Sequence, residues 1–300
     1  MMDRRAFLGT VTAATVLNNR LTWAFADHKI APIGVQLYTV RFAMKDDFEG
    51  SLAKVASIGY KEVELAEFAQ ASDGTVTYFT RSPKDVRAAF DRHGLISPST
   101  HVKYSSLTPE NFPKVIEASK VLGNTYIVMP WIEEADRKQP DIWKKAAAVF
   151  NRAGEESKKS GIQFAYHNHW FEFLPTDGKL PFDVLLAECD SNLAKMELDL
   201  CWITAAGKDP IPYFNKHPGR FPLVHVKDIK TMPNITAGGT QNFGDTADLT
   251  SVGSGLINWK NIFSHDQKAG IRHYFVEHDK PQAAFDSIAS SYAYLEKLTF

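Results

Sequence analysis

Short runs of apolar and β-branched residues recur along the chain from residue 33, and each is followed by a segment whose apolar residues have helical spacing. The runs predict strands at residues 33–38, 61–65, 96–102, 125–130, 162–167, 195–200, 223–227 and 273–277. The segments between them predict helices at residues 47–58, 83–93, 109–122, 139–160, 181–189, 210–216, 259–268 and 282–298. Strict alternation of eight strands and eight helices with short links predicts an α/β fold, a (β/α)8 TIM barrel.

Several predicted helices carry sequence signals at their ends. Ser82, Thr108 and Asp209 each precede a proline, which is typical of helix starts. Gly94 follows the second predicted helix, where a glycine can end the helix in the left-handed conformation. The alternative architecture is an open doubly wound sheet. It is disfavoured because no Gly-x-Gly-x-x-Gly motif follows the first strand and because the strands number eight.

The domain organisation follows from the absence of any linker rich in Gly, Ser or Pro after the N-terminus. Residues 27–300 are therefore predicted to form one domain. The longest predicted loop covers residues 229–256 and follows the seventh strand. Barrel enzymes keep their active sites on that face, so this loop is a candidate lid or substrate-binding loop.

Residues 1–26 resemble a twin-arginine export signal. Arg4 and Arg5 precede a weakly apolar run at residues 9–17, and Ala24-Phe25-Ala26 fits an A-x-A cleavage site. A frayed basic N-terminus is the alternative. The signal predicts an exported, periplasmic protein. No stretch reaches 18 uninterrupted apolar residues, so no membrane span is expected.

Charge and cysteine content exclude some classes of function. The 34 basic and 35 acidic side chains give a net charge of −1, so no nucleic-acid partner is expected. Cys189 and Cys201 are the two cysteines, too few for a disulfide framework or a Cys-rich metal site. We expect both to be small buried apolar residues.

Ionisable residues gather at the ends of the predicted strands. Those of strands three and five to eight are His101, His167, His169, Glu172, Glu197, Asp199, His225, Lys227 and Glu277. Parallel barrel strands bring such ends to one rim, where buried charges are costly unless they pair or bind a cation. Carboxylates mixed with imidazoles predict a site for one divalent metal ion, with Mn, Mg, Co and Zn all acceptable.

Strand periodicity divides these residues further. Side chains alternate between the two faces of a strand, so Glu197 and Asp199 share a face, and so do His225 and Lys227. One residue of each pair can then bind the metal while its neighbour touches the substrate.

The chain resembles the xylose isomerase-like TIM barrels, a superfamily that includes sugar phosphate isomerases/epimerases, inosose dehydratases and apurinic endonucleases. The motifs that carry the resemblance are Ile33-Gly34-Val35-Gln36-Leu37-Tyr38, Ala165-Tyr166-His167-Asn168-His169, Leu198-Asp199-Leu200-Cys201-Trp202, His225-Val226-Lys227-Asp228 and Glu277-His278-Asp279. The resemblance implies a metal held by Glu, Asp, His and Glu from strands five to eight. Asp199, His225 and Glu277 match the last three. The first position reads His167-Asn168-His169, so we assign Glu172 as the ligand, with His167 as its competitor.

The resemblance also implies a function. We expect a metal-dependent isomerase or epimerase acting on a sugar, keto-sugar or polyol through a metal-stabilised enediolate. His169 and Glu277 are the candidate bases, and Lys227 is a candidate donor to the developing oxyanion. His101, His167, Trp202 and Tyr38 are the expected substrate-binding residues.

Other functions stay open at this point. The first alternative is a metal-dependent dehydratase or lyase acting on a keto-sugar or 3-keto-glycoside. The second, of another class, is a non-catalytic sugar-binding protein. A nuclease acting on abasic DNA is disfavoured by the net charge and by Trp202, which stands where that branch would have a histidine. The partner is in each favoured case a small carbohydrate, and a homo-oligomer is compatible with the sequence.

Overall fold

The computed structural model describes residues 28–71, 75–233 and 247–300. Its parallel strands are β1 (Ile33–Gln36), β2 (Glu62–Leu65), β3 (Ile96–His101), β4 (Tyr126–Met129), β5 (Gln163–His167), β6 (Ala194–Asp199), β7 (Leu223–Val226) and β8 (His273–Val276). They form a closed barrel. Val35 of β1 pairs with Val63 of β2 on one side and with Val276 of β8 on the other. This closure confirms the predicted TIM barrel and excludes the open sheet.

Helices surround the barrel and bury their apolar faces against it. The described α-helices are Arg41–Asp46, Phe48–Ile58, Pro83–His93, Phe112–Leu122, Glu134–Arg137, Ile142–Lys158, Pro181–Glu188, Leu200–Ala205, Pro210–Lys216, Trp259–Phe263, Asp266–Ala269 and Ala284–Leu295. Short 3-10 helices cover Leu37–Val40, Tyr104–Leu107 and Phe171–Phe173. Phe150 and Phe164 show the packing: their rings, from a helix and from β5, lie 5.5 Å apart and both are fully buried.

The predicted helix ends are confirmed at most positions. The Ser82 hydroxyl accepts from the Asp85 N–H at 3.2 Å, and Gly94 ends that helix at φ 63°. Thr108 was predicted to start the third helix, but that helix begins at Phe112. The Thr108 hydroxyl instead accepts from the Asn111 N–H at 3.3 Å, which closes a turn before the helix. The seventh predicted helix is split, with one part ending at Phe263 and the next beginning at Asp266.

Two regions of the sequence prediction fall outside the described residues. The expected export signal at residues 1–26 is one of them. The other is the middle of the 229–256 loop, residues 234–246. The described ends of that loop are held together because Asp228–Ile229 pairs in antiparallel fashion with Leu249–Thr250.

Asp228 fastens this loop to the barrel. Its fully buried carboxylate accepts five N–H groups: the backbone N–H of Ile229 (2.9 Å), Gly253 (2.9 Å), Gly255 (3.2 Å) and Ile257 (3.3 Å), and the Trp259 indole (3.1 Å). A carboxylate that accepts hydrogen bonds from several buried N–H groups offsets the cost of burying each of them. A neutral side chain of this size offers fewer acceptor sites and weaker hydrogen bonds.

Replacing Asp228 with Ala should therefore destabilise the protein strongly. The change leaves five N–H groups without their acceptor. Each buried N–H without a partner costs about 1–3 kcal/mol, and water that enters the space left by the carboxylate offsets part of the total loss of stability. We expect a loss of at least about 3 kcal/mol in the free energy of unfolding, measured by urea denaturation. A loss below about 1 kcal/mol would show that the anchor contributes little.

The remaining structural expectations concern membranes and cysteines. In the part of the chain that the structure describes, none of the helices combines the length and the apolar composition that a membrane span needs. Cys189 and Cys201 are both buried and unpaired, as expected. Burial raises the pKa of the Cys201 thiol well above its ordinary value, which keeps this thiol protonated.

Candidate metal centre

The carboxyl ends of four neighbouring strands bring an imidazole or carboxylate to one point. These side chains are His167 of β5, Asp199 of β6, His225 of β7 and Glu277, which follows β8. His225 Nδ1 lies 2.9 Å from Glu277 Oε2, and His167 Nε2 lies 3.9 Å from Asp199 Oδ2. Single atoms of Asp199, His225 and Glu277 lie within 4.8 Å of one another. The structure thus brings together three of the four metal ligands predicted from the sequence, with His167 beside them.

Asp199 has one carboxylate oxygen committed to the backbone and one that is not. Oδ1 accepts from the N–H groups of Cys201 (2.9 Å) and Trp202 (2.8 Å), which caps the helix that starts at Leu200. Oδ2 is buried and accepts no hydrogen bond from the part of the chain that the structure describes, although it lies 3.2 Å from Lys227 Nζ. The Lys227 ammonium supplies a counter-charge that lowers the cost of burying this oxygen, and the lone pairs of the oxygen stay free of hydrogen bonds from the described residues. This oxygen, with neighbouring nitrogen and oxygen donors, fits a divalent ion.

Lys227 supplies the positive charge at the mouth. Its Nζ lies 2.8 Å from Glu277 Oε2 and 2.9 Å from Asp279 Oδ1. Burial alone would lower the pKa of Lys227, but the carboxylates of Asp199, Asp279 and Glu277 hold it well above its ordinary value. Lys227 is therefore an ammonium that neutralises part of a strongly acidic cluster.

A second layer of ionisable groups lies behind the first. Glu197 Oε2 lies 2.8 Å from His101 Nε2, 3.1 Å from His167 Nδ1 and 3.3 Å from His225 Nε2. Glu64 Oε2 lies 2.7 Å from His225 Nε2 and 3.2 Å from His101 Nε2. Potential ligand atoms of His101, His167, Glu197 and His225 also fall within 4.8 Å of one another.

The charges of this layer shift each other's pKa values. Burial alone would raise the pKa of Glu64, but the charge of His101 and hydrogen bonds from His101 and His225 hold it below its ordinary value. Burial and the charge of Glu64 raise the pKa of Glu197 to about 7. Burial alone would lower the pKa of His101, but Glu64 and Glu197 raise it to about 9. These groups share protons and counter-charges as one network.

The structure does not bring Glu172 into this cluster, contrary to its assignment as a metal ligand. Glu172 follows β5 in a short 3-10 helix and is fully buried. Its Oε1 accepts from the Tyr166 hydroxyl, and its Oε2 accepts from the His169 N–H at 2.8 Å. Both oxygens are thus used to fix the turn after β5. His167, the competitor, points to Asp199 and Glu197 because odd-numbered residues at the end of β5 face the barrel interior.

Glu172 should make stability fall as the pH rises. Burial raises the pKa of Glu172 from 4.5 to about 7, so the folded protein keeps a proton that the unfolded chain releases. Between these two values the folded state binds more protons, and stability decreases with increasing pH. Relative to Glu172→Gln, wild type should lose about 3 kcal/mol across this window in urea denaturation. Parallel stability curves for the two proteins would contradict this assignment.

An open cavity of about 800 Å³ lies over the cluster. The predicted substrate-binding residues Tyr38, His101, His167 and Trp202 all line it. Tyr38 is 40% exposed at the rim, whereas Trp202 is 1% exposed, with its ring 4.8 Å from Lys227 Nζ. Trp131 and Trp170 add aromatic faces to the wall. Such faces pack well on the C–H surfaces of sugars.

His169 lies in this cavity wall, beside the cluster. Its ring stacks on Phe171, with the centroids 5.6 Å apart, and its buried Nδ1 has no hydrogen-bond partner among the described residues. Burial, with a smaller contribution from the charge of Lys227, holds the pKa of His169 well below its ordinary value. The imidazole is therefore neutral near pH 7 and can accept a proton.

Sequence reasoning gave no role to Glu64 or Asp279 and expected Glu197 to face the substrate. Asp279 lines the cavity and contacts Lys227. Burial and the charge of Glu277 raise its pKa to about 6, although Lys227 opposes the shift. Glu64 could have been found as one of two glutamates, with Glu62, that alternate with apolar residues in a short strand. Whether Glu197 faces the substrate or supports a histidine depends on its contacts with His167 Nδ1 and His225 Nε2. Those contacts cannot be inferred from the sequence pattern.

Comparison with known proteins gives consistent results. An inosose dehydratase of Geobacillus thermodenitrificans is 26% identical over 239 residues, which cover 72% of this chain and 78% of that protein. A solved sugar phosphate isomerase/epimerase of Parabacteroides distasonis is 27% identical, with a TM-score of 0.70 over 92% of this chain and 96% of that one. A xylose isomerase-like TIM barrel protein of Mycobacterium smegmatis, in complex with magnesium, is 14% identical, with a TM-score of 0.64 over 88% and 95% of the two chains.

The sequence model of one family covers most of the barrel. It describes the xylose isomerase-like TIM barrel and matches residues 52–297, which include β2 to β8 and the whole cluster of Asp199, His225 and Glu277. Together with the closed eight-stranded barrel, this match confirms the resemblance found in the sequence. The chain belongs to the xylose isomerase-like TIM-barrel family.

Proposed function

We propose that this protein is a divalent-metal-dependent enzyme that removes a proton next to the carbonyl of a keto-sugar or keto-polyol and then eliminates a β-substituent. The observation that carries the proposal is the buried imidazole of His169, whose Nδ1 has no hydrogen-bond partner among the described residues and which lies in the wall of the cavity that His167, Lys227 and Glu277 also line. A base and a cationic site facing one cavity suit abstraction of a proton α to a carbonyl. The relative at 26% identity is named inosose dehydratase, which favours elimination of water.

The residues that would hold the ion are His167, Asp199, His225 and Glu277. When bound, a divalent ion supplies Lewis-acid polarisation of the substrate carbonyl. A magnesium complex is known for one fold relative, which supports an ion but not its identity. Mn, Mg, Co and Zn all suit a set of two carboxylates and two imidazoles.

Side chains of the protein would transfer the protons, stabilise the developing negative charge and exclude water. His169 Nδ1 accepts the proton from the substrate carbon, because it is a buried basic atom of the cavity wall that has no hydrogen-bond partner among the described residues. The Lys227 ammonium stabilises negative charge that develops on the substrate oxygen. Asp279 lines the cavity, and because its pKa is raised to about 6, the fraction that carries a proton can donate it to the leaving hydroxyl. Trp131, Trp170 and Trp202 exclude water from the reacting carbons.

Isomerisation or epimerisation is the second candidate, since the solved relative at 27% identity is described as a sugar phosphate isomerase/epimerase. It begins with the same proton transfer and differs in the return of the proton to carbon. A phosphorylated substrate is less well supported. Lys227 already contacts three carboxylates, and Lys103 at the rim pairs with Glu67 at 3.0 Å.

A panel of keto-sugars, keto-inositols and 3-keto-glycosides incubated with Mn²⁺-loaded protein in D₂O tests the proposal. NMR should show loss of a β-substituent and formation of a conjugated enone. Deuterium incorporation with an intact carbon skeleton would instead establish isomerisation or epimerisation. His169→Asn serves as the control and should lose the reaction while keeping the ion. Substrate binding without exchange or product across the panel would contradict an enzyme and favour a sugar-binding protein.

A further inference from the structure

Both candidate ligand histidines lie between two carboxylates, although only His225 is within hydrogen-bond distance of a carboxylate at both ring nitrogens. His225 meets Glu277 through Nδ1 at 2.9 Å and Glu64 through Nε2 at 2.7 Å. His167 meets Glu197 through Nδ1 at 3.1 Å, whereas its Nε2 stands 3.9 Å from Asp199 Oδ2. In each ring, one nitrogen faces the mouth of the barrel and the other faces the deeper layer.

The distances at His167 indicate where its proton lies. A separation of 3.1 Å allows a hydrogen bond from Nδ1–H to Glu197, and 3.9 Å is too long for one from Nε2 to Asp199. A neutral imidazole carries one N–H and one lone pair. With the N–H on Glu197, the lone pair of His167 Nε2 faces Asp199 Oδ2, the oxygen that accepts no hydrogen bond. This oxygen has the Lys227 ammonium as a counter-charge at 3.2 Å but receives no hydrogen bond from the described residues, so it and the facing nitrogen lone pair can together bind a cation.

The deeper carboxylates are themselves held in place. Gln36 Nε2 donates to Glu64 Oε2 at 2.8 Å, and the Ser99 hydroxyl donates to Glu64 Oε1. His101 Nε2 donates to Glu197 at 2.8 Å, and the His101 ring stacks on His225 with an interplanar angle of 7°. Glu64 and Glu197 are both fully buried. Glu64 Oε2 and Glu197 Oε2 therefore present fixed acceptors to His225 Nε2 and His167 Nδ1 respectively, while Glu197 Oε1 has no hydrogen-bond partner among the described residues.

We propose that Glu64 and Glu197 are positioning residues that set the tautomer and ring orientation of His225 and His167, leaving Nδ1 and Nε2 respectively to bind the ion. The inference rests on the metal dependence proposed above. It assigns the deeper group of His101, Glu64 and Glu197 to an outer layer around one metal site. Carboxylates that receive the second N–H of a metal-bound histidine raise its basicity and fix its orientation.

An alternative is a second metal site, since potential ligand atoms of His101, His167, Glu197 and His225 also lie within 4.8 Å of one another. That reading requires a lone pair on His167 Nδ1 and on His225 Nε2. The proton of His167 would then lie on Nε2, which is 3.9 Å from Asp199 Oδ2 and so too far for a hydrogen bond to that oxygen. The geometry therefore favours one ion with an outer layer over two ions.

Metal binding and histidine NMR test the proposal together. Titration of the ion-free protein with Mn²⁺ should give one ion per chain, and Glu64→Gln and Glu197→Gln should each weaken binding roughly 10- to 100-fold. Glu172→Gln removes an equally buried carboxylate that touches neither histidine ring and should keep wild-type affinity. In the Zn²⁺-loaded wild type, ¹H–¹⁵N correlation spectra should show His167 protonated at Nδ1 and His225 at Nε2.

The outcomes separate this inference from the proposed function. Wild-type affinity in both Glu64→Gln and Glu197→Gln, or the opposite tautomers, would overturn the positioning role alone. Two ions in wild type and one in Glu197→Gln would show that Glu197 is a ligand and would also overturn it. If wild type binds no ion, the proposed function and this inference fail together. The tautomers are read in wild type, so the test does not depend on the folding of either variant.

Discussion

Asp199→Asn should abolish metal binding and turnover while leaving the fold intact. The amide oxygen can still accept from the N–H groups of Cys201 and Trp202, so the helix cap is kept. The amide NH₂ replaces Oδ2, which removes a ligand and places a donor beside the Lys227 ammonium. We expect Mn²⁺ affinity and kcat/KM each to fall by more than roughly 100-fold. That is the loss expected when a residue that only supports a metal ligand is removed, whereas Asp199 would bind the ion itself.

Asp209→Asn is the matched control. Asp209 also caps a helix, accepting from the Ile211 N–H at 2.9 Å, but it is exposed and lies away from the cluster. Its substitution should change neither metal affinity nor turnover. Binding of Mn²⁺ by Asp199→Asn with wild-type affinity would show that the ion lies elsewhere.

Lys227→Met should destabilise the ion-free protein by about 3–5 kcal/mol and remove turnover. Methionine fills a similar volume, but Asp199, Glu277 and Asp279 lose their shared cation in a buried setting. Breaking a buried ion pair by removing one partner leaves uncompensated charge, which accounts for this magnitude. Thermal and urea unfolding of the ion-free variant measure the loss.

A divalent ion should restore much of this stability, because it supplies positive charge to the same carboxylates. The gain on adding Mn²⁺ should therefore be larger in Lys227→Met than in wild type. Lys195→Met, at the opposite end of β6, is the control. Lys195 donates to the Gly219 carbonyl at 3.0 Å, and its loss should cost less than about 1 kcal/mol. Equal losses in the two variants would argue against the buried cluster as the cause.

Much of the fold could be predicted from sequence because the barrel repeats one simple pattern. Buried parallel strands appear in the sequence as short apolar runs. Between them, Ser82 and several prolines mark the starts of helices, and Gly94 marks the end of one. The prediction was least complete directly after strands. The helix Leu200–Ala205 was missed because its cap is Asp199, which the sequence analysis treated only as a ligand.

The candidate site could be predicted in part for a similar reason. Asp199, His225 and Glu277 end adjacent strands, so strand order alone brings them together. Glu172 was placed incorrectly because sequence proximity to β5 does not reveal that its oxygens bind Tyr166 and a backbone N–H. The pairing of His225 with Glu64 joins residues 161 positions apart and depends on barrel closure. The export signal at residues 1–26 stays a prediction.

Anomalous diffraction from crystals of the Mn²⁺-loaded protein is the most direct measurement of a shared cation at the barrel mouth. We expect one strong peak, with Asp199 Oδ2, Glu277 Oε2, His225 Nδ1 and His167 Nε2 each about 2.0–2.3 Å from it. A peak bound instead by His101 and Glu197, or no peak among these side chains, would contradict it.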